Sequence, residues 1–109
     1  MSAPAVPLAN LVDYQSGSVV SRVILKNPGG TVTAFAFDAS EGLSEHTAPF
    51  DALVQIIEGE AAITIGGEEQ RVRAGEILTL PANIPHAVRA VTRFKMLLVM
   101  IKRDGAPGL

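Results

Sequence analysis

Glu45 to His86 reads EHTAPFDALVQIIEGEAAITIGGEEQRVRAGEILTLPANIPH, and this stretch decides the fold. Short apolar runs, LVQIIE at 53–58, EAAITI at 60–65 and ILTL at 77–80, are punctuated at Gly59, Gly66-Gly67, Ala74-Gly75 and Pro81-Ala82-Asn83. Runs of four to eight residues rich in Ile, Val and Thr between Gly and Pro signals read as strands. Gly66-Gly67 is the two-residue connection preferred between antiparallel strands. EEQRVR at 68–73 is polar and suits a sheet edge or a solvent-facing strand. The spacing predicts a meander of antiparallel strands. It carries the two histidines of the chain, His46 and His86, on its first and last segments. A closed sheet would bring them face to face across one cavity.

Working outward, SVVSRVILK at 18–26 is rich in β-branched residues and is followed by the turn Asn27-Pro28-Gly29-Gly30. TVTAFAFDA at 31–39 alternates, with Val32, Ala34 and Ala36 on one face and Thr33, Phe35 and Phe37 on the other, so a first hairpin is expected. Glu41 and Gly42 open a loop leading to His46, and Pro49 interrupts pairing. His86 to Val91 and Phe94 to Lys102 are expected to form the final strand pair. Residues 1–14 read as an N-terminal arm in which 8–14 could be a short helix or a strand joining a partner subunit, and 103–109 as a C-terminal tail. No amphipathic helix is expected after residue 14. The residues give an all-β barrel or sandwich of about eight to nine short strands.

The chain of 109 residues is of single-domain length. Hydrophobic residues make up 48%, enough for a core, and charged residues only 18%, too few for a disordered polyelectrolyte. Nine Lys and Arg against eleven Asp and Glu leave a formal net charge of -2, which is not the basic footprint of a nucleic-acid binder. Without cysteine, thiolate catalysis, disulfides and sulfur-ligated metal are excluded. MSAPAVPLANL has two prolines and no positive charge, unlike a signal peptide, and Met96 to Ile101 is far shorter than the roughly 20 residues that span a bilayer. A cytoplasmic location without membrane or nucleic-acid partners is expected. The mean hydropathy is positive, and excess apolar content in a small domain points to a subunit interface. Tyr14, Val19 and the Phe35/Phe37 face are candidates for it.

The order and spacing of these residues resemble those of the small single-domain cupins over nearly the whole chain. The first motif of that family is Gly, five residues, His-x-His, three or four residues, Glu, six residues, Gly. Here Gly42 starts it slightly close, His46 takes the first histidine and Gly59 falls in register as the closing glycine. The second motif is Gly, five residues, Pro-x-Gly, two residues, His, three residues, Asn. Gly75, Pro81 and His86 match it, with Asn83 replacing the glycine and Ala90 the asparagine. The resemblance implies a cupin-type antiparallel β-barrel or jelly roll. It also implies a pairing habit which, with the apolar composition, makes a homodimer the expected state.

The resemblance places four metal ligands at positions 46, 48, 52 and 86, of which 48 and 52 are alanines. A divalent transition metal (Zn, Fe, Mn, Ni or Cu) would be held by His46 and His86 alone unless a third donor is recruited. Glu45, Asp51 and Gln55 are the candidates, although strand alternation turns Asp51 and Gln55 away from a cavity that Ala52 faces. Phe50, Met96 and Met100 are expected to line the cavity and favour an apolar or aromatic ligand. Arg71, Arg73 and Arg89 are either solvated or contacts for an anion. The glycine pair is a turn and not a phosphate loop, since no helix follows it, and no Ser-His-Asp arrangement is visible. Two readings follow. In the first the barrel binds a small apolar or carboxylate ligand, with His46 and His86 as polar anchors. In the second it is a metal-dependent dioxygenase or isomerase-like enzyme with a reduced two-histidine site, or one using imidazoles that titrate near pH ~6.5 as acid and base.

Overall fold

The computed structural model describes residues 3–103, so all but the first residue of the expected C-terminal tail lies outside the described residues. Nine strands, β1 (Val19–Asn27), β2 (Gly30–Phe37), β3 (Gly42–His46), β4 (Phe50–Glu58), β5 (Glu60–Ile65), β6 (Glu68–Arg73), β7 (Ile77–Leu80), β8 (His86–Ala90) and β9 (Phe94–Lys102), follow a short 3-10 turn at Leu8–Asn10. They form two antiparallel sheets, β1-β2-β9-β4-β7 and β3-β8-β5-β6. The fold is all-β, with two antiparallel sheets packed face to face as in a jelly roll.

Local signals decide local hairpins. Asn27-Pro28-Gly29-Gly30 joins β1 to β2, and Gly66 and Gly67 both have positive φ, as the tight turn between β5 and β6 requires. The polar strand β6 lies at a sheet edge with only Val72 buried. The long-range pairing differs from the meander. β4 leaves for the five-stranded sheet while β5 stays in the other; β8 pairs with β3 and β5, and β9 with β2 and β4. The expected final pair of β8 with β9 therefore does not form. Strand propensity sees pairing competence and not partner choice, which the burial of two apolar faces decides.

Residues 42–46 are likewise a strand and not a loop. GLSEH lacks apolar alternation, and it is held by pairing with β8, with a register shift between Leu43 and His46. Leu43 faces Val88 and His46 faces His86, so Ser44 and Glu45 together oppose Ala87 alone. This β-bulge breaks the strict alternation and lets residues three apart face the same side.

The core sits between the sheets. Phe37, Val54, Ile56, Phe94 and Met96 meet Ala61, Ile63, Val88 and Ala90 there. The Phe37 and Phe94 rings stack at 4.4 Å and close one end of the barrel. The inner face of β9 then runs Phe94, Met96, Leu98, Met100, Lys102, from fully buried to half-buried, toward the open end. Gly59 turns at the closed end with φ +79, and a Cβ there would collide with the Arg93 carbonyl. The alternation of β2 follows the sequence, but Phe35 and Phe37 turn into the core, Phe37 with no exposed surface, and Val19 packs against it. Phe37 is therefore not interface material, while Val19 and Phe35 are half-buried against the core.

The arm packs instead on the outer face of β2, where Ala34 and Ala36 are small enough to leave room for Val12, Leu11 and Tyr14. Tyr14 is itself occupied: its hydroxyl donates to Glu58 Oε2 at 2.6 Å, and the Arg93 guanidinium lies 4.0 Å from its ring centre. Lys95 Nζ donates to the Ala9 carbonyl at 2.7 Å and Arg22 to that of Leu11. Burial, then the hydrogen bond to Glu58, pushes the Tyr14 hydroxyl well above its usual pKa of 10.0. A raised native pKa contributes stability that is present below the unfolded value and lost as pH rises through the folded one. Tyr14→Phe keeps the ring and loses the bond. It should cost about 1 kcal/mol at neutral pH, and the gap to the wild type should shrink in denaturation series above pH 10. A gap that stays constant would mean that the hydroxyl does not act in this way.

Asn83, which stands where the family motif has a glycine, has φ +65, the left-handed region that glycine adopts without strain, and its N–H donates to the Ala48 carbonyl at 2.8 Å. Asn tolerates this region and β-branched residues do not. Asn83→Gly should leave the melting temperature near that of the wild type, whereas Asn83→Val should lose about 1–2 kcal/mol in chemical denaturation.

Candidate functional site

The two histidines meet because β3 and β8 are neighbours. His46 and His86 are directly paired across the strands, with ring centres 4.3 Å apart and ring planes at 66°. The bulge before His46 is what turns it to the side already occupied by Leu43. His46 is exposed and His86 half-buried. Each ring is fixed through Nδ1, His46 against the Ser44 carbonyl at 2.8 Å and His86 against the Ile84 carbonyl at 3.3 Å. A carbonyl can only accept, so in the neutral ring Nδ1 carries the proton and Nε2 keeps its lone pair. Neither Nε2 has a hydrogen-bond partner among the described residues.

Both rings line a recess of about 50 Å³ whose wall includes Phe50, Met96 and Met100. The five residues expected from sequence thus lie around one space. Gln55 does not reach it: it pairs with Leu97 and Ile77 on the opposite face of β4. Asp51 is also turned away, with Oδ1 accepting from the Ala82 N–H and Oδ2 3.7 Å from Arg103 Nε. Glu45 is exposed within the bulge. Arg71, Arg73 and Arg89 pair with Glu60 and Glu69 at the β5–β6 edge.

Ala48 and Ala52 line the recess as well. The two positions where the cupin metal set has a histidine and a glutamate therefore face the site and supply methyl groups. No group of three His, Cys, Asp or Glu that could hold a metal exists among the described residues. Two imidazoles and two methyls do not fit the four-ligand centre that the fold family implies, since a tight site takes at least three protein ligands.

A second and larger cavity, about 640 Å³, opens beside the recess and shares Phe50 and Met100 with it. Lys26, Thr31 and Lys102 also line it. None of the three is singled out by the sequence motifs, yet a signal exists: Lys102 continues the alternate positions of Met96 and Met100, and Lys26 pairs with Thr31 across the first turn.

The chain is similar to a conserved protein of unknown function from Streptococcus pyogenes at 36% identity and a TM-score of 0.89, covering 95% of this chain and 91% of that one. A cupin superfamily protein from Desulfitobacterium hafniense is 28% identical at a TM-score of 0.89, with 94% of each chain covered. A cupin 2 conserved barrel domain protein from Leptotrichia buccalis is 43% identical at 0.84 over 87% of this chain, which spans only 46% of that longer one. No curated protein matches. The family model of the cupin domain matches residues 34–102, a span that takes in both histidines, both alanines and the glycines of both motifs, and the chain belongs to the cupin family.

Proposed function

We propose that this cupin binds a small organic molecule in the open end of its barrel, with His46 and His86 as polar anchors and Phe50, Met96 and Met100 as the apolar wall. The observation that carries this reading is the pair of oriented imidazoles, each with Nδ1 tied to a backbone carbonyl and Nε2 left to accept. Recognition sites are typically apolar pockets with a few fixed polar groups, and two acceptors side by side favour a ligand with a hydroxyl or N–H at that end. Metal-dependent catalysis draws less support, because Ala48 and Ala52 remove half of the donor set.

Elemental analysis of untagged protein purified without chelator should find Mn, Fe, Co, Ni, Cu and Zn well below one ion per chain, with no thermal shift on adding each ion. Near-stoichiometric metal lost in both His46→Ala and His86→Ala would sink this reading in favour of the enzyme. For organic ligands found by thermal-shift screening, each of those substitutions should weaken binding about tenfold, the worth of one or two buried hydrogen bonds.

We also propose that a second copy of the chain covers the outer face of the five-stranded sheet. Leu25, Val32, Val99 and Leu53 form a cross-strand row free of charge, flanked by Ile77 and Ile101. Leu25 is 60% exposed, Ile77 61% and Ile101 57%, and the arm covers only the Ala34/Ala36 end. A two-fold axis sets a face against itself, and an uncharged apolar row meets its copy without repulsion. Sedimentation velocity should give a dimer for the wild type and a monomer of unchanged circular dichroism for Leu25→Glu/Ile101→Glu; a monomeric wild type would rule the pairing out.

A further inference from the structure

The recess between the histidines, at about 50 Å³, is too small for an organic molecule, so the body of any ligand must occupy the adjoining vestibule of about 640 Å³. That volume falls within the range of small-molecule sites. Strand register explains what lines it. Lys26 pairs with Thr31, Thr31 with Met100, and Phe50 with Lys102, so four adjacent strands bring these side chains to two neighbouring rows at the open end of the barrel.

Three features of these rows call for an anion. Neither Lys26 nor Lys102 forms an ion pair among the described residues, although Arg71, Arg73, Arg89, Arg93 and Arg103 all do. Two ammonium groups on one cavity repel each other until a negative charge lies between them. Asp51, next to Phe50, is spent on the Ala82 N–H and on Arg103. Thr31, on the same wall, has the one buried side-chain polar atom without a hydrogen-bond partner among the described residues, its Oγ1. Unmatched buried hydroxyls are uncommon because they forfeit their bonds to water, and rotation about χ1 re-aims this one. The remaining wall is mostly apolar, Phe50, Met100 and Pro28 with Gly30, and its one other polar side chain, Asn27, already accepts from the Gly29 N–H through Oδ1, which suits a hydrocarbon or aromatic body better than a sugar phosphate.

We infer that the vestibule binds the carboxylate of an apolar organic acid. Lys26, Lys102 and the Thr31 hydroxyl hold the anion, Phe50 and Met100 pack against the body, and the far end reaches His46 and His86. This inference rests on the histidine recess being a ligand site and adds the class of ligand. The ammonium groups are flexible point charges on long stems, so acids of different length can share the anchor.

4-Hydroxybenzoate, 3-(4-hydroxyphenyl)propionate and 6-hydroxyhexanoate, whose far ends carry the hydroxyl that the histidines would accept from, each compared with its primary amide by isothermal titration at low salt, test it on the full chain. Each acid should bind about tenfold or more tightly than its amide, as expected for charge-assisted hydrogen bonds. Lys26→Met and Lys102→Met keep the apolar stem and should each remove most of that preference while leaving amide affinity unchanged. Thr31→Val should weaken acid binding and, by deleting an unmatched buried hydroxyl, raise the melting temperature of the ligand-free protein. Equal affinity for acid and amide, or a preference that survives in Lys26→Met/Lys102→Met, would overturn the anion anchor while the histidine site stood. If no acid or amide binds, or if binding is indifferent to both His46→Ala and His86→Ala, the histidine site falls and the anchor with it.

Discussion

The structure depends on the pairing of β9 with β2 on one side and β4 on the other, along almost its whole length. A strand with partners on both edges has its backbone groups satisfied, and its side chains are sorted strictly to two faces. The inner face therefore reads as a gradient. Phe94 stacks on Phe37 at the closed end, Met96 and Leu98 fill the middle, and Met100 and Lys102 stand at the opening. The outer face accepts the N-terminal arm at Lys95 and Leu97 and leaves Val99 and Ile101 beyond it. Core, mouth, arm seat and uncovered face all follow from one ladder.

The five-stranded sheet has register shifts at Val23/Leu25 and Ile56/Glu58, but the irregularity on which the site depends lies in the four-stranded sheet. The bulge between Leu43 and His46 changes the parity of β3, and without it the imidazole would point to solvent on the outer side. A bulge costs ladder bonding, and bulges gather at sheet edges and near functional sites; β3 is such an edge strand. The two imidazoles then have their proton positions fixed by local carbonyls, so their accepting nitrogens are set before any ligand arrives. Preorganisation of this kind reduces what binding must spend on ordering side chains.

The chemistry of the opening has changed relative to the pattern the cupin motifs describe. Ala48 and Ala52 stand on the cavity wall and supply no donor, while His46 and His86 stand on the same wall. Losing half of a donor set enlarges the apolar share of the wall and leaves the polar groups available to hydrogen-bond an organic ligand. The barrel is thus a scaffold whose shape persists while the chemistry of its mouth is altered by two small side chains.

The sequence by itself determined the elements whose causes are local. The tight Gly66-Gly67 turn, the polar edge strand at 68–73, the alternation at 31–37 and the membership of His46, His86, Phe50, Met96 and Met100 in one wall could all be read from period, turn chemistry and motif spacing. Only the tertiary structure decided which strands pair, because partner choice depends on burying two faces at once and not on propensity. It made a strand of GLSEH, which has no strand pattern of its own, by offering it the edge of β8. It turned Phe35 and Phe37 inward, where the alternation alone allows either side. It also brought Lys102 to the end of the barrel where the first hairpin places Lys26 and Thr31, because strand register is a property of pairs and no single strand contains it.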